Sequence, residues 1–270
     1  MTVRTRGTQV PCEPAKLPRP DGSFIAYHKT PASKSMSGRP GIIFLGGFAS
    51  DMTGSKATAL ERFARDSGHG FVRFDYLGHG ASSGRFEDGT IGRWSEDAIV
   101  VLDELTEGPQ ILVGSSMGGW LMLLVALARP ARVAGLVGIA AAPDFTETLM
   151  WQTFPPEIRE TIERDGVYYQ PSSYEGEAPY PITKRLIIDG RRHLLMDRPI
   201  PITCPVRLIH GTADADVPHT LSLALMERLE AGDVEVTLVK GGDHRLSGPA
   251  DLDRLTRTVA ALAAQLSGER

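Results

Sequence analysis

The residues with the clearest chemical potential are a serine and the two glycines around it. Residues 114–118 read Gly-Ser-Ser-Met-Gly and match the pattern G-x-S-x-G. Ser116 has glycine two positions before and after it, whereas Ser115 has Val113 and Met117 at those places. A serine hydroxyl is a weak nucleophile until a base takes its proton. The pattern therefore predicts Ser116 as a nucleophile and requires a base elsewhere in the chain.

The segments on either side of this serine give the pattern its weight, because the string alone is a weak signal. A short apolar strand, residues 111–113, directly precedes it, and an almost wholly apolar helix, residues 117–128, directly follows. A strand–serine–helix turn lifts the hydroxyl out of a sheet, and it needs small neighbours because strand and helix pass close together. We therefore interpret residues 114–118 as a nucleophile elbow and not as a plain glycine turn.

A histidine and an aspartate complete the arrangement. His244 follows the last predicted strand, residues 234–239. In a doubly wound sheet this loop opens at the carboxyl edge of the strands, where the elbow also lies, so we predict His244 as the base. The acid must hold the imidazole in one tautomer and stabilise its charged form. Asp214 and Asp216 both follow the strand 206–210; we favour Asp214, which is nearer the strand end, and interpret Asp216 as a loop or capping carboxylate.

Acyl transfer also needs hydrogen-bond donors for the negative charge that develops on the substrate oxygen. The backbone N–H of Met117, immediately after the nucleophile, is one predicted donor. The second is expected from the loop after the strand 42–45, which reads Gly46-Gly47-Phe48. Its glycines allow a close approach, and we favour the N–H of Phe48 over that of Gly47. The predicted oxyanion hole thus consists of Met117 and Phe48.

The elements that must position these groups alternate along the chain between short apolar runs and longer amphipathic ones. The predicted strands are residues 24–28, 42–45, 71–74, 111–113, 133–140, 206–210 and 234–239, and the predicted helices are residues 56–65, 94–105, 117–128, 156–164, 221–229 and 251–266. This alternation predicts an α/β fold, a mostly parallel doubly wound sheet with helices on both faces. We expect a single domain over residues 1–270, in which His210 and Trp120 are structural.

Residues 143–203 break the alternation. The segment holds eight prolines and several aromatic residues. A structureless loop of this length is uncommon in a compact domain, so we interpret the segment as an inserted lid. Trp151, Phe154 and Tyr168 are candidate substrate-pocket residues, although packing of the lid onto the core would use them equally well. The basic run at residues 191–193, Arg-Arg-His, is interpreted as a solvated face, with an anionic leaving group as the alternative.

Composition bounds the class of protein. The 270 residues carry a formal net charge of −4 and no concentrated basic patch, which argues against nucleic-acid binding. No stretch approaches the roughly 18 apolar residues of a membrane span, and residues 1–20 lack the apolar run of a secretory signal. The two cysteines, Cys12 and Cys204, suit a reducing compartment. We therefore expect a soluble cytoplasmic protein, and its oligomeric state is not predicted.

The motifs together resemble the α/β-hydrolase superfamily. Residues 75–82, Asp-Tyr-Leu-Gly-His-Gly-Ala-Ser, match its D-x-x-G-x-G-x-S loop. Longer strings at residues 73–76, 108–123 and 199–210 resemble the abhydrolase domain-containing protein ten family, which comprises mitochondrial thioesterases. That family is associated with the removal of palmitoyl groups from protein cysteines and with the cleavage of acyl glucuronides.

The resemblance implies Ser116, Asp214 and His244 as the triad. It also implies a small-molecule or acylated-protein ester or thioester as substrate, and neither a metal nor an organic cofactor. We therefore predict a serine hydrolase that works through an acyl-enzyme. A cofactor-free perhydrolase and a carbon–carbon bond hydrolase use the same triad and remain alternatives, and a non-catalytic receptor for a small ligand is a third. Epoxide hydrolases and haloalkane dehalogenases are disfavoured, because they carry an aspartate at the nucleophile position.

Overall fold

Short runs of apolar residues form a central sheet. The computed structural model describes residues 13–36, 38–171 and 179–268. Within these residues the strands are β1 (Ala15–Pro18), β2 (Phe24–Thr30), β3 (Gly41–Leu45), β4 (Phe71–Phe74), β5 (Gln110–Ser115), β6 (Val133–Ile139), β7 (Val167–Gln170), β8 (Tyr180–Thr183), β9 (Val206–Gly211) and β10 (Val234–Val239). Eight of them form one sheet in the order β1-β2-β4-β3-β5-β6-β9-β10, and β7 and β8 form a separate pair.

Most of the large sheet is parallel. The six strands from β4 to β10 in sheet order run parallel, whereas β1 and β2 add an antiparallel edge. Successive side chains of a strand point to opposite faces. On β3, Ile43 and Leu45 accordingly pack into one apolar cluster, and Ile42 and Phe44 pack into the other. The predicted doubly wound α/β fold is confirmed.

Helices cover both faces of the sheet. They are α1 (Ser55–Ser67), α2 (Ile91–Leu105), α3 (Met117–Ala128), α4 (Pro156–Asp165), α5 (Lys184–Gly190), α6 (Thr220–Arg228) and α7 (Pro249–Leu266). Residues of α1 and α7 pack with one face of the sheet, and residues of α2, α3 and α6 pack with the other. Helix α3 is apolar nearly all round and largely buried, as expected of a helix at the centre of a fold.

The residues between β6 and β9, called the insert below, comprise residues 143–203. Their described part contains a π-helix at Thr146–Trp151, then α4, β7, β8, α5 and a short 3-10 helix. The buried carboxylate of Asp144 accepts hydrogen bonds from the backbone N–H groups of Leu195 and Met196, which ties the start of the insert to its end. Trp120 on α3 donates its indole N–H to the carbonyl of His193 at 3.1 Å. The insert is therefore fastened both to itself and to the helix behind the nucleophile.

The N-terminal region differs from the sequence prediction. Strand β1 was not predicted, and it pairs with β2 along its whole length, so β2 lies inside the sheet and not at its edge. Cys12, one of the two cysteines, and Tyr174, one of the aromatic residues of the insert, lie outside the described residues. Among the described helices, none combines the length and the hydropathy that crossing a membrane requires.

Candidate active site

The turn between β5 and α3 presents Ser116 at the carboxyl edge of the sheet. Ser116 has φ 54° and ψ −117°, a strained backbone for a residue with a side chain, of the kind that concentrates at functional sites. A Cβ at Gly114 would lie 2.2 Å from the carbonyl oxygen of Gly118, and one at Gly118 would lie 2.1 Å from that of Leu45. Both glycines are thus required by close backbone approach, which agrees with the elbow interpretation.

The three residues predicted to act together lie in hydrogen-bond contact. The Nε2 atom of His244 is 3.0 Å from the Ser116 Oγ atom, and its Nδ1 atom is 2.8 Å from Oδ2 of Asp214. The Asp214 side chain is fully buried, while that of His244 is 17% exposed. Because Nδ1–H donates to the carboxylate, Nε2 carries a lone pair aimed at the serine hydroxyl. This chain of contacts can take a proton from Ser116 and stabilise it on the imidazole.

The Asp214 carboxylate is held in its charged form. Its Oδ1 atom accepts the backbone N–H groups of Asp216 and Val217 at 3.0 and 2.8 Å, and its Oδ2 atom also accepts Nε2 of His210 at 3.1 Å. Burial raises the pKa of Asp214, but hydrogen bonds from His210, His244 and Val217 outweigh burial and leave this pKa well below its usual value. A permanently ionised acid is what the imidazolium form of His244 needs.

Asp216 does not occupy the place of the acid. Asp216 is exposed. One oxygen of its carboxylate, one oxygen of Asp214 and one ring nitrogen of His244 lie within 4.8 Å of one another. Such a group could in principle hold a cation. However, both oxygens of Asp214 already accept two hydrogen bonds each, and the imidazole of His244 joins Asp214 to Ser116. The donor set fits an orienting acid better than a metal ligand.

The loop after β3 also lies close to the nucleophile. A Cβ built on Gly47 would lie 3.5 Å from the Ser116 Cβ atom. No acceptor in the described part of the chain takes the backbone N–H of Gly47 or Phe48. The Phe48 ring packs edge-on against rings of the core and of the insert, namely Phe86, Trp94, Phe145 and Tyr180. The loop is thus held rigidly with unused donors beside the serine, and Met117 begins α3, where N–H groups lack acceptors within the helix.

A cavity of about 730 Å³ opens over Ser116 and His244. Its larger apolar lining residues are Phe44, Phe48 and Val217 of the core and Phe145, Leu149, Met150, Phe154 and Tyr180 of the insert. Its polar lining residues come from the loop after β3, the start of α1 and the loop after β10, and include Ser50, Asp51, Thr53, Ser55, Lys56, Arg245 and Ser247. The cavity over the nucleophile therefore offers both apolar and polar surface.

Of the three candidate pocket residues, the structure places one in the cavity wall. Phe154 lines the cavity, but Trp151 and Tyr168 do not. Instead, both pack on the small core of the insert around Ile162, Ile182 and Ile187. Trp151 also carries the guanidinium of Arg191 over its ring at 4.9 Å. These two aromatic side chains support the insert from behind, since they face its own core and not the cavity.

The basic run at residues 191–193 also lies away from the cavity. Arg191 pairs with Glu147 at 2.7 Å, and Nε2 of His193 is 3.6 Å from Asp189. Arg192 is exposed. The run is part of the outer face of the insert, in agreement with the interpretation as a solvated face.

Sequence reasoning missed several residues that shape the site. The buried carboxylate of Asp75 accepts the N–H groups of Met52 and Ala81 at 2.6 and 2.8 Å, so the D-x-x-G-x-G-x-S motif braces the loop that carries Phe48. The contact of His210 with Asp214 was missed as well, although the spacing His-Gly-x-x-Asp after a strand is a usable signal. Nothing in the sequence distinguishes Leu149 and Met150 as cavity residues, because their orientation depends on the π-helix.

Comparison with known proteins assigns the class. The model of the α/β hydrolase family matches residues 42–261, so the chain belongs to this family. It is also 44% identical over 252 residues to a protein of Bos taurus named palmitoyl-protein thioesterase ABHD10, mitochondrial, covering 93% of this chain and 80% of that one. The Homo sapiens protein of the same name is 42% identical over 251 residues, with 93% and 80% covered. The resemblance stated from the motifs is confirmed.

Solved structures agree. Alpha/beta hydrolase domain-containing protein 10 from mouse superposes with a TM-score of 0.85 at 42% identity, covering 94% of this chain and all of that one. A putative hydrolase from Agrobacterium vitis S4 gives a TM-score of 0.88 with the same identity and coverage. The prediction of a cytoplasmic protein is wrong by these comparisons, because the relatives from Bos taurus and Homo sapiens are named mitochondrial.

Proposed function

We propose that this chain cleaves carboxylic ester or thioester bonds with Ser116 as nucleophile, His244 as base and Asp214 as orienting acid. The observation that carries the proposal is the continuous contact from Ser116 Oγ through the His244 ring to the buried Asp214 carboxylate, at 3.0 and 2.8 Å. The family and the thioesterases among the relatives confirm the predicted class, a hydrolase of ester or thioester bonds.

The first half of the reaction forms an acyl-enzyme. As the Ser116 oxygen attacks the acyl carbonyl, its proton passes to Nε2 of His244, and Asp214 stabilises the resulting imidazolium. The negative charge on the carbonyl oxygen is held by the backbone N–H groups of Met117 and Phe48, which are fixed before substrate arrives. The tetrahedral intermediate then collapses, and His244 returns the proton to the departing alcohol or thiol.

The second half releases the acid. A water molecule takes the place of the leaving group, and His244 removes its proton as it attacks the ester of Ser116. The same two N–H groups hold the second oxyanion. Collapse breaks the bond to the Ser116 oxygen, which regains its proton from His244. Free acid leaves and the protein returns to its starting state.

The cavity supports an acyl group of considerable size. Its apolar wall would cover the hydrocarbon part of the substrate, since removing apolar surface from water stabilises the complex. The polar lining residues of the cavity suit a hydrophilic leaving group, such as the cysteine of an acylated protein or a small alcohol. The relatives named palmitoyl-protein thioesterase support a long-chain acyl thioester within this class.

We also propose that residues 1–270 form one domain in which residues 143–203 act as a lid. In support, the insert supplies a large apolar part of the cavity lining and shares the aromatic cluster around Phe48 with the core. The fold needs no contribution from the insert to complete its eight-stranded sheet.

The test is hydrolysis of paired oxyesters and thioesters with acyl chains from two to sixteen carbons, by the wild-type protein and the Ser116→Ala variant. We expect activity that is lost in the variant and that favours long-chain thioesters. Formation of peracid from an ester and hydrogen peroxide, measured alongside, reports the perhydrolase alternative. Binding of acyl ligands by a wild-type protein that cleaves none of them would refute the proposal and favour a receptor.

A further inference from the structure

The acid of the proposed triad is shared by two imidazole rings. Oδ2 of Asp214 lies 2.8 Å from Nδ1 of His244 and 3.1 Å from Nε2 of His210. His210 is the penultimate residue of β9, and its side chain is completely buried. The proposed mechanism uses His244 and leaves His210 without a role, so a second buried histidine on the same carboxylate oxygen requires an explanation.

The hydrogen bonds of His210 determine which of its ring nitrogens carries the proton. Nε2 faces two acceptors, Asp214 Oδ2 and the carbonyl of Val217 at 3.0 Å, so this nitrogen must be the donor. Nδ1 lies 2.7 Å from the hydroxyl of Ser222, a buried residue of α6, and in the neutral ring it accepts the hydroxyl proton. The two acceptors at Nε2 thus fix the tautomer of His210, and Ser222 supplies the hydrogen bond that its Nδ1 atom accepts.

We propose that His210 is a positioning residue, which holds Asp214 Oδ2 in the orientation that His244 needs and limits the charge that this oxygen offers to the imidazolium. This inference rests on the proposed function. Of the four hydrogen bonds to the Asp214 carboxylate, two come from the backbone and one from a fully buried ring, so only that of His244 belongs to a group that changes charge during the reaction.

Loss of the His210 donor has a definite expected direction. A carboxylate with one hydrogen bond fewer carries more charge toward its remaining partner, which stabilises the charged form of that partner. The looser carboxylate therefore orients the His244 ring less well and slows the reaction, and its altered charge should displace the pH profile of the reaction toward higher pH. The carboxylate of Asp216 also faces this group, and it is left in place in every variant.

The variants separate the hydrogen bond from mere packing. His210→Phe keeps a planar ring and removes the donor, whereas His210→Gln keeps an N–H where Nε2 lies. Ser222→Ala leaves His210 in place and removes the hydroxyl that holds its Nδ1 side. Val259→Ala, a buried position of α7 on the opposite face of the sheet, is the control for loss of stability alone.

The measurement is the rate at which a fluorophosphonate labels Ser116 from about pH 5 to pH 9, per folded molecule. This reaction needs an activated serine but no turnover of an ester. For His210→Phe we expect labelling to slow on the order of tenfold and its acidic limb to move to higher pH. Ser222→Ala should show a smaller change in the same direction, and His210→Gln should remain near the wild type.

The inference would be overturned if the labelling rates and the acidic limbs of the pH profiles in His210→Phe and Ser222→Ala matched those of Val259→Ala. His210 would then be a packing residue. If His210→Phe yields no folded protein, Ser222→Ala decides in the same way. A wild-type protein that labels but hydrolyses no ester or thioester refutes the proposed function alone, whereas one that does not label refutes both.

Discussion

The carboxyl edge of the sheet and the insert contribute to the same cavity in different ways. At the sheet edge, Ser116, Asp214 and His244 sit on turns that follow three parallel strands, and each is fixed by hydrogen bonds of definite length. The insert contributes side chains that touch the cavity through apolar surface, such as Leu149, Met150 and Phe154. Directional contacts can place reacting atoms, whereas apolar contacts can only select what fits.

The difference also shows in how each region is held. Buried carboxylates brace the sheet edge. Asp75 accepts the N–H of Met52, in the loop that carries Phe48, and Asp97 accepts the N–H of Leu77. The insert has a small core of its own, and it is joined to the rest by contacts that include the Trp120–His193 hydrogen bond and the aromatic cluster around Phe48. We therefore expect substitutions at the sheet edge to change the chemical step and substitutions in the insert to change selectivity.

The largest expected effect is that of His244→Ala. Removal of the base should lower kcat on the order of 10⁵-fold and leave KM within about threefold, because the ring contributes to the chemical step and little to the apolar wall. Steady-state kinetics on the best ester or thioester provides the measurement. A change confined to KM would mean that His244 only binds substrate, and the division between the two regions would fail.

The next effect distinguishes the two aspartates after β9. Asp214→Asn should reduce kcat by about 10⁴-fold, because an amide favours the wrong tautomer of His244. Asp216→Asn, in the same exposed loop, should stay within about threefold of the wild type. A reversal of these two results would assign the acid to Asp216 and contradict the geometry of the site.

A third prediction concerns the bracing of the sheet edge. Burial raises the pKa of Asp97 to about 6. The hydrogen bond from Leu77 and the charges of Arg19 and Arg93 lower this pKa, but burial outweighs them. The folded state therefore binds this proton more tightly than the unfolded state, and the stability it gives is lost as pH rises through about 6. Relative to Asp97→Asn, the wild type should lose about 2 kcal/mol of unfolding free energy between pH 4 and pH 7.

Urea unfolding of both proteins across that pH range measures this difference. Asp253→Asn, an exposed carboxylate of α7, corrects for the removal of one charge. A difference between wild type and Asp97→Asn that stays constant with pH would show that Asp97 does not titrate in this range and would contradict the prediction.

The smallest predicted effect lies in the insert. Phe154→Ala should lower kcat/KM for long acyl chains about tenfold and leave acetyl substrates unchanged, since it removes apolar surface from the cavity lining and lies away from the reacting groups. Tyr169→Ala, at an exposed position of β7, is the matched control. An equal loss for short and long chains would show that the insert acts on the chemical step, which would erase the distinction between the regions.

The sheet edge was predictable from sequence because its requirements are local. A Cβ on either glycine beside Ser116 would lie about 2 Å from backbone atoms, and the serine, aspartate and histidine all follow parallel strands that end at one edge. Strand β10 and helix α3 were predicted with the bounds that the structure shows, since each is an apolar run with clear ends. Chemistry that depends on short motifs and strand ends can thus be predicted well.

The insert was not predictable in the same detail because its structure depends on distant contacts. Strands β7 and β8 have four residues each, too few for a periodic signal, and helix α5 has only seven. Trp151 and Phe154 are aromatic residues close together in the sequence, yet only Phe154 of the two lines the cavity. Their directions are set by the π-helix and by the small core of the insert, which no local pattern reveals.

The central claim is that Ser116 becomes acylated during turnover, and quenched-flow mass spectrometry of the intact protein tests it most directly. After mixing with a long-chain thioester, the wild type should gain the mass of one acyl group within the first turnover, mapping to the peptide that contains Ser116. The Ser116→Ala variant should gain none and turn over no substrate. An adduct on another residue, or turnover by Ser116→Ala at the wild-type rate, would contradict the account.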